Sequence, residues 1–130
     1  MESTIQKRPS LHIGTQTFRY VADLKWFDGP LLSLFWEENT QMPFLLHWVD
    51  VSADFHQWVL YPVSKSDLKK YLDGKISHRE LFFAQKSNAV MLLELNGGFE
   101  TGAIVESSRQ QLESDFIPSG EEFFDPFLCP

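Results

Sequence analysis

The chain has 130 residues, of which 43% are hydrophobic and 15% aromatic, so it is long and apolar enough to bury a core as one domain over residues 1–130. Its single cysteine, Cys129, excludes an internal disulfide and an all-cysteine metal site. No apolar run approaches the roughly 20 residues that span a bilayer. The start, MESTIQKRPS, lacks the apolar region of a secretory signal, so we expect a cytoplasmic protein without a membrane partner.

The net charge of −7 is concentrated towards the C-terminal end. Residues 1–93 carry ten basic and ten acidic side chains, whereas residues 94–130 carry Arg109 against eight carboxylates. An acidic surface repels nucleic acid and favours a basic protein surface as its partner. Direct nucleic-acid binding is therefore not expected.

Taken in chain order, the first part of the sequence predicts a β-meander. Residues 1–15 are typical of a loose arm with a short strand at 11–13, and residues 17–25 predict the first long strand. Turn residues near 28–30, 39–42 and 52–55 then separate three further predicted strands, Leu31–Glu37, Phe44–Val51 and Gln57–Val63.

The hydrophobic period changes after these strands. Ser64 and Ser77 are each followed three residues later by a carboxylate, which is the capping-box pattern of a helix N-terminus. This predicts two short helices, Ser66–Leu72 and Arg79–Ala84, the first of them ended by Gly74.

A predicted hairpin follows the helices. Its strands are Ala89–Leu95 and Phe99–Val105, joined by the turn at 96–98. The predicted fold class is α+β: a core over 16–113 with an antiparallel meander sheet, an inserted pair of short helices, a C-terminal hairpin and an extended tail over 114–130. We expect about five or six strands in the sheet.

Several of these segments, taken together, resemble one family. The matching residues are Phe27-Asp28-Gly29-Pro30-Leu31-Leu32, Trp48-Val49-Asp50, Trp58-Val59-Leu60 with Pro62-Val63-Ser64, and Leu72-Asp73-Gly74-Lys75-Ile76-Ser77 with Arg79, followed by an acidic, proline-containing tail. Over roughly residues 18–127 the chain resembles small bacterial domains known only as a family of unknown function. The resemblance implies a compact α+β domain and no reaction.

Ser33 and His47 form the sharpest catalytic candidate. If Trp36 pairs with Phe44 across the intervening turn, Ser33 lies opposite His47, which places a hydroxyl beside an imidazole as nucleophile and base. The alternative is a buried polar pair in the core. The sequence contains no G-x-S-x-G elbow, so a hydrolase is the less favoured function and no catalytic residue is assigned.

The aromatic strands offer a second candidate, a ligand pocket. With a four-residue loop at 52–55, Val51 faces His56 and Leu60 faces His47, so both histidines share a face and Asp50 lies on the other. The candidate pocket comprises Trp48, Trp58, His47 and Asp50 and would serve a small-molecule or nucleotide sensor. The four scattered histidines do not converge as metal ligands, so no metal and no cofactor is expected.

The C-terminal tail is the leading functional candidate. Acidic and aromatic side chains are interspersed in it and broken by prolines, so it cannot form its own core and is expected to dock as an extended segment. It would dock on its own sheet, on a basic protein partner or on a second copy in a homodimer. The candidate partner-binding residues are Phe116, Glu121, Glu122, Phe123, Phe124, Asp125 and Phe127. The sequence thus favours a non-enzymatic protein-interaction module, such as an inhibitor, an immunity-type protein or an accessory subunit.

Overall fold

The computed structural model describes residues 10–26, 30–52, 55–85, 89–95, 101–112, 114–118 and 120–128. Within these residues, seven antiparallel strands form one sheet in which every strand pairs with its neighbours in the chain. The strands are β1 Leu11–Ile13, β2 Gln16–Trp26, β3 Pro30–Glu37, β4 Met42–Ser52, β5 Phe55–Pro62, β6 Ala89–Leu95 and β7 Thr101–Ser108. The predicted meander is confirmed, but the expected number of five or six strands is wrong, because the short β1 and both strands of the C-terminal hairpin join the same sheet. With seven strands the fold is mainly β.

Two short helices, α1 Lys65–Leu72 and α2 His78–Phe83, connect β5 to β6. Ser64 Oγ accepts a hydrogen bond of 3.1 Å from the backbone N–H of Asp67. Ser77 forms both halves of the capping box with Glu80, at 3.1 Å and 2.9 Å. The predicted N-caps are therefore confirmed, because these side chains satisfy N–H groups that have no partner inside the helix. Each helix begins one residue earlier than predicted, at Lys65 and at His78.

The sheet buries apolar side chains on both faces, because alternate residues of a strand point to opposite sides. The face beneath the helices carries a cluster that we call the helix-side core: Leu24, Leu32, Leu45, Val59, Tyr61, Val63, Tyr71, Leu81, Phe82, Val90 and Leu112. The other face carries the inner core: Leu11, Phe18, Phe35, Phe44, Leu46, Trp58, Leu60, Leu93 and Leu95. The inner core joins β1 to β6, which have four strands between them in the sheet, so the sheet is curled around it.

The C-terminal tail contains two 3₁₀ turns, Ser114–Phe116 and Pro126–Leu128. Residues 122–125, which lie between these turns, belong to no helix or strand. A further 3₁₀ turn, Arg109–Gln111, follows β7. The turns predicted at 96–98 and at Asp28-Gly29 lie outside the described residues, as does Cys129.

Candidate functional site

The C-terminal tail packs against the helix-side core of its own chain. Phe116, Ile117 and Phe124 contact that cluster as partly buried side chains. The rings of Phe124 and Tyr71 lie 5.7 Å apart. The tail thus docks in cis through three apolar side chains.

Glu122 ties the tail to α2 and β2. Its carbonyl accepts a hydrogen bond of 2.7 Å from the backbone N–H of His78. Its carboxylate lies 3.2 Å from Lys25 Nζ and 3.9 Å from His78 Nδ1. The facing imidazole of His78 and the charge of Lys25 lower the pKa of Glu122 to about 2, against the opposing effect of burial.

A cluster of four rings, His47, Tyr61, Tyr71 and His78, lies behind Glu122. Nε2 of His78 is hydrogen-bonded to the Tyr61 hydroxyl, and both residues are 1% exposed. The His47 ring stands edge-on to that of His78, with centroids 4.8 Å apart, and its Nδ1 is buried without a hydrogen-bond partner. Burial lowers the pKa of both histidines, that of His47 to about 3.

The order Glu122–His78–Tyr61 is that of a proton relay, in which a carboxylate orients an imidazole next to a hydroxyl. Burial, however, raises the pKa of the Tyr61 phenol well above its ordinary value. The phenol therefore stays protonated, and its 1% exposure gives a substrate no access to it. We assign this cluster to holding the tail and α2 together.

The outer side of the tail presents acidic and aromatic side chains to solvent. Phe123 is 51% and Phe127 94% exposed, and Glu121, before Phe123, and Asp125, between the two rings, are also exposed. The carboxylate of Asp125 accepts a hydrogen bond of 2.9 Å from the backbone N–H of Phe127, which fixes the turn that presents this ring. We call Glu121, Phe123, Asp125 and Phe127 the acidic aromatic strip.

The predicted pairing of Ser33 with His47 is wrong. Ser33 lies opposite Leu46, and His47 lies opposite Leu32, so the hydroxyl and the imidazole point to opposite faces of the sheet. Ser33 instead donates a buried hydrogen bond of 2.6 Å to the carboxylate of Asp23. The hydrolase interpretation loses the geometry on which it depended.

The cause of this error is the turn between β3 and β4. Trp36 pairs with Pro43 rather than with Phe44, so the true register differs from the predicted one by one residue. Gln41 adopts a φ of +56°, which closes the turn directly before Met42 and starts β4 earlier than its composition indicates.

The register between β4 and β5 was predicted correctly only near their loop. Val51 faces His56 as expected, but a bulge between Trp48 and Asp50 shifts the pairing beyond it. Trp48 therefore lies directly opposite Trp58, instead of Val49.

This bulge separates the residues of the predicted ligand pocket. His47 faces the helix-side rings, whereas Trp48 and Trp58 belong to or pack on the inner core. The expected common face of His47 and His56 is wrong, since His56 accepts a hydrogen bond of 2.9 Å from the indole N–H of Trp48. Asp50 is exposed near the end of β4.

A cleft of about 580 Å³ opens where the start of β2 approaches the end of β7. Phe44, Leu60 and Met91 form its apolar part, and Gln16 and Glu106 contribute polar groups. This cleft was not predictable from the sequence, because it arises from the curvature of the sheet and from residues distant in the chain.

A second cavity, of about 420 Å³, lies between α1 and the β2–β3 part of the sheet. Its apolar lining includes Val21, Leu34, Trp36, Leu68 and Leu72. Lys65 and Lys69 of α1 also line it, and we call it the lysine-rimmed groove.

No family model, curated protein or solved structure matches the chain. The resemblance to the bacterial family stays a prediction. Among the described residues, no three His, Cys, Asp or Glu side chains are placed to hold a metal ion. In that same part of the chain, neither helix has the length and apolar character needed to cross a membrane.

Proposed function

We propose that this chain is a non-enzymatic protein-interaction module whose acidic aromatic strip docks on a basic protein surface. The observation that carries the proposal is the exposure of Phe127, which at 94% leaves nearly the whole ring in contact with water. Apolar rings that stand in solvent beside charged groups are typical anchors of a protein interface.

The strip is preorganised by the inward-facing residues between its members. Glu122 is held by Lys25 and by the N–H of His78, and Phe124 packs on Tyr71. Because the backbone of 122–125 is anchored, a partner need not bear the full entropic cost of ordering it. This supports a docking surface that exists before the partner arrives.

The two kinds of side chain in the strip have separate roles. Glu121 and Asp125 steer the encounter with a basic surface, so we expect association to slow as ionic strength rises. Phe123 and Phe127 supply most of the affinity when they are buried by the partner.

The test is a double substitution, Phe123→Ser with Phe127→Ser, compared with Phe83→Ser. Phe83 is an exposed ring on α2 at 44% exposure, so its replacement removes an exposed aromatic side chain outside the strip. In quantitative affinity capture from the lysate of the producing organism, the double variant is expected to lose the partner that the native chain and the control retain. Equal recovery by all three proteins contradicts the proposal.

The cleft between β2 and β7 supports a second candidate function, the binding of a small molecule. Its volume of about 580 Å³ lies in the usual range for ligand pockets. A ligand seated there would raise the melting temperature of the native chain, and Met91→Trp, which fills the cleft, would abolish that shift. This candidate is contradicted if no compound in a ligand library raises the melting temperature of the native chain by a shift that Met91→Trp abolishes.

A further inference from the structure

The lysine-rimmed groove is complementary to the acidic aromatic strip in charge and in apolar character. Val21 and Leu72 leave apolar surface open to solvent, at 49% and 36% exposure. Lys65 Nζ lies 5.1 Å from the centre of the Trp36 ring, and Lys69 is exposed on the same helix. The groove is thus an apolar trough edged by two lysines, and Asp73, which also lines it, lies 2.8 Å from Lys69 Nζ. The strip is a pair of rings with carboxylates beside them.

The strip does not fill this groove within its own chain. Phe127 is 94% exposed while Val21 and Leu72 remain open. The two features nevertheless lie on the same side of the molecule. Phe124 contacts Tyr71, the neighbour of Leu72 in α1, and the 3₁₀ turn Pro126–Leu128 lies against β2, the strand that carries Val21.

Adjacent, complementary surfaces that do not meet in one chain can meet across a two-fold axis. An axis that passes between the strip and the groove sets each strip against the groove of the other subunit and closes the assembly at two copies. We propose that the partner of the acidic aromatic strip is a second copy of this chain, whose lysine-rimmed groove receives Phe127 while Lys65 and Lys69 face Glu121 and Asp125. This inference rests on the proposed function, for which it names the partner.

Charge reversal on each side separately tests the dimer. One variant carries Lys65→Glu and Lys69→Glu in the groove, and the other carries Glu121→Lys and Asp125→Lys in the strip. Each variant alone places like charges across the interface, so we expect its dimer dissociation constant to rise at least about tenfold over that of the native chain in sedimentation equilibrium. In an equimolar mixture every strip meets a groove of opposite charge, and dimers are expected to return.

A control carries one reversal of each sign elsewhere, Lys75→Glu with Glu38→Lys, at two exposed positions outside both surfaces. It is expected to dimerise like the native chain. Of two single substitutions, Phe127→Ser is expected to be monomeric, whereas Phe83→Ser is expected to form the native dimer. A native chain that stays monomeric at millimolar concentration overturns the inference. So does a dimer that tolerates both charge reversals, or a mixture that stays monomeric.

The two proposals fail in distinguishable ways. If the native chain is monomeric but the strip variant still loses a captured partner, the second-copy inference falls and the interaction module stands. If the chain is monomeric and capture does not depend on the strip, both fall.

Discussion

Two histidines of the helix-side face differ in their hydrogen bonds. His78 is bonded to Tyr61 and faces Glu122, whereas Nδ1 of His47 has no partner. A buried imidazole nitrogen without a hydrogen-bond partner contributes little to stability through hydrogen bonding, and burial disfavours the charged form of the ring. At the scale of the residue, His47 is therefore a source of acid sensitivity.

The stability of the protein is expected to fall as the pH drops from about 6.5 towards 3. The pKa of His47 is about 3 in the folded chain and about 6.5 when unfolded, so in this window the unfolded chain binds a proton that the folded chain does not. The slope from one such group is at most about 1.4 kcal/mol per pH unit. Urea denaturation at several pH values is expected to show a reduced slope for His47→Phe and little loss of stability at pH 8.

Glu122 provides the internal control for that titration. Its pKa is about 2 in the folded chain against an ordinary value of 4.5, so its contribution is present above pH 4.5 and is lost as the pH falls towards 2. In Glu122→Gln, the loss of stability between pH 6.5 and 4.5 is expected to match that of the native chain. The further loss of stability below pH 4.5 is expected to be smaller. An unchanged slope in His47→Phe above pH 4.5 contradicts the assignment.

At the scale of the element, α2 is the connection between the sheet and the tail. It has only six residues, so its stability depends on its cap and its packing rather than on helix propensity. Ser77 caps it, and the N–H of the next residue, His78, binds the carbonyl of Glu122. Loss of the cap would therefore loosen both the helix and the tail.

Ser77→Ala is expected to lower the free energy of unfolding by about 1 kcal/mol. Ser66→Ala is the matched control, because Ser66 is exposed in the first turn of α1 and the capping hydrogen bond of that helix is made by Ser64. Chemical denaturation measures both variants, and amide exchange at His78 reports whether the tail bond opens with the cap. Equal effects of the two substitutions would mean that the cap is not the source of the stability.

At the scale of the whole molecule, the tail is part of the folding unit as well as a surface. Phe116, Ile117 and Phe124 bury apolar area against the helix-side core. A chain that ends at Glu113 lacks these three partly buried side chains. Its free energy of unfolding is therefore expected to be lower by about 3 kcal/mol. Calorimetry is expected to show a melting temperature about 10 °C lower, and an unchanged value would mean that the tail contributes nothing to the core.

This is why point substitutions on the outer side of the tail test its binding better than truncation does. Phe123→Ser and Phe127→Ser leave Glu122 and Phe124 in place. Any loss of association in those variants then reports on the surface and not on the fold.

The parts of the structure that depend on local chemistry were predictable from the sequence. The caps at Ser64 and Ser77 and the alternation of apolar residues in the strands act over a few residues, and both helices and the meander follow from them. Register depends instead on details that composition does not specify. The positive φ of Gln41 and the bulge before Asp50 each moved a pairing by one residue, and so removed the predicted Ser33–His47 contact and the predicted ligand pocket.

Of the surfaces described above, only the tail was predictable from the sequence as a docking surface. The acidic and aromatic composition indicated a docking segment, but not that Glu122 and Phe124 face inward while Phe123 and Phe127 face outward. The lysine-rimmed groove was not predictable, because it brings α1 together with strands more than 25 residues earlier in the chain.

The neighbour-by-neighbour order of the strands has a consequence for synthesis on the ribosome. Each strand can pair with the one made just before it, so the sheet can grow as the chain emerges, without waiting for distant segments. The tail does not follow this order, since Glu122 pairs with Lys25, which is translated 97 residues earlier. Closure of this fold therefore depends on its latest-made segment: until the tail has emerged from the ribosome, Lys25 and the rings behind it lack the residues that cover them.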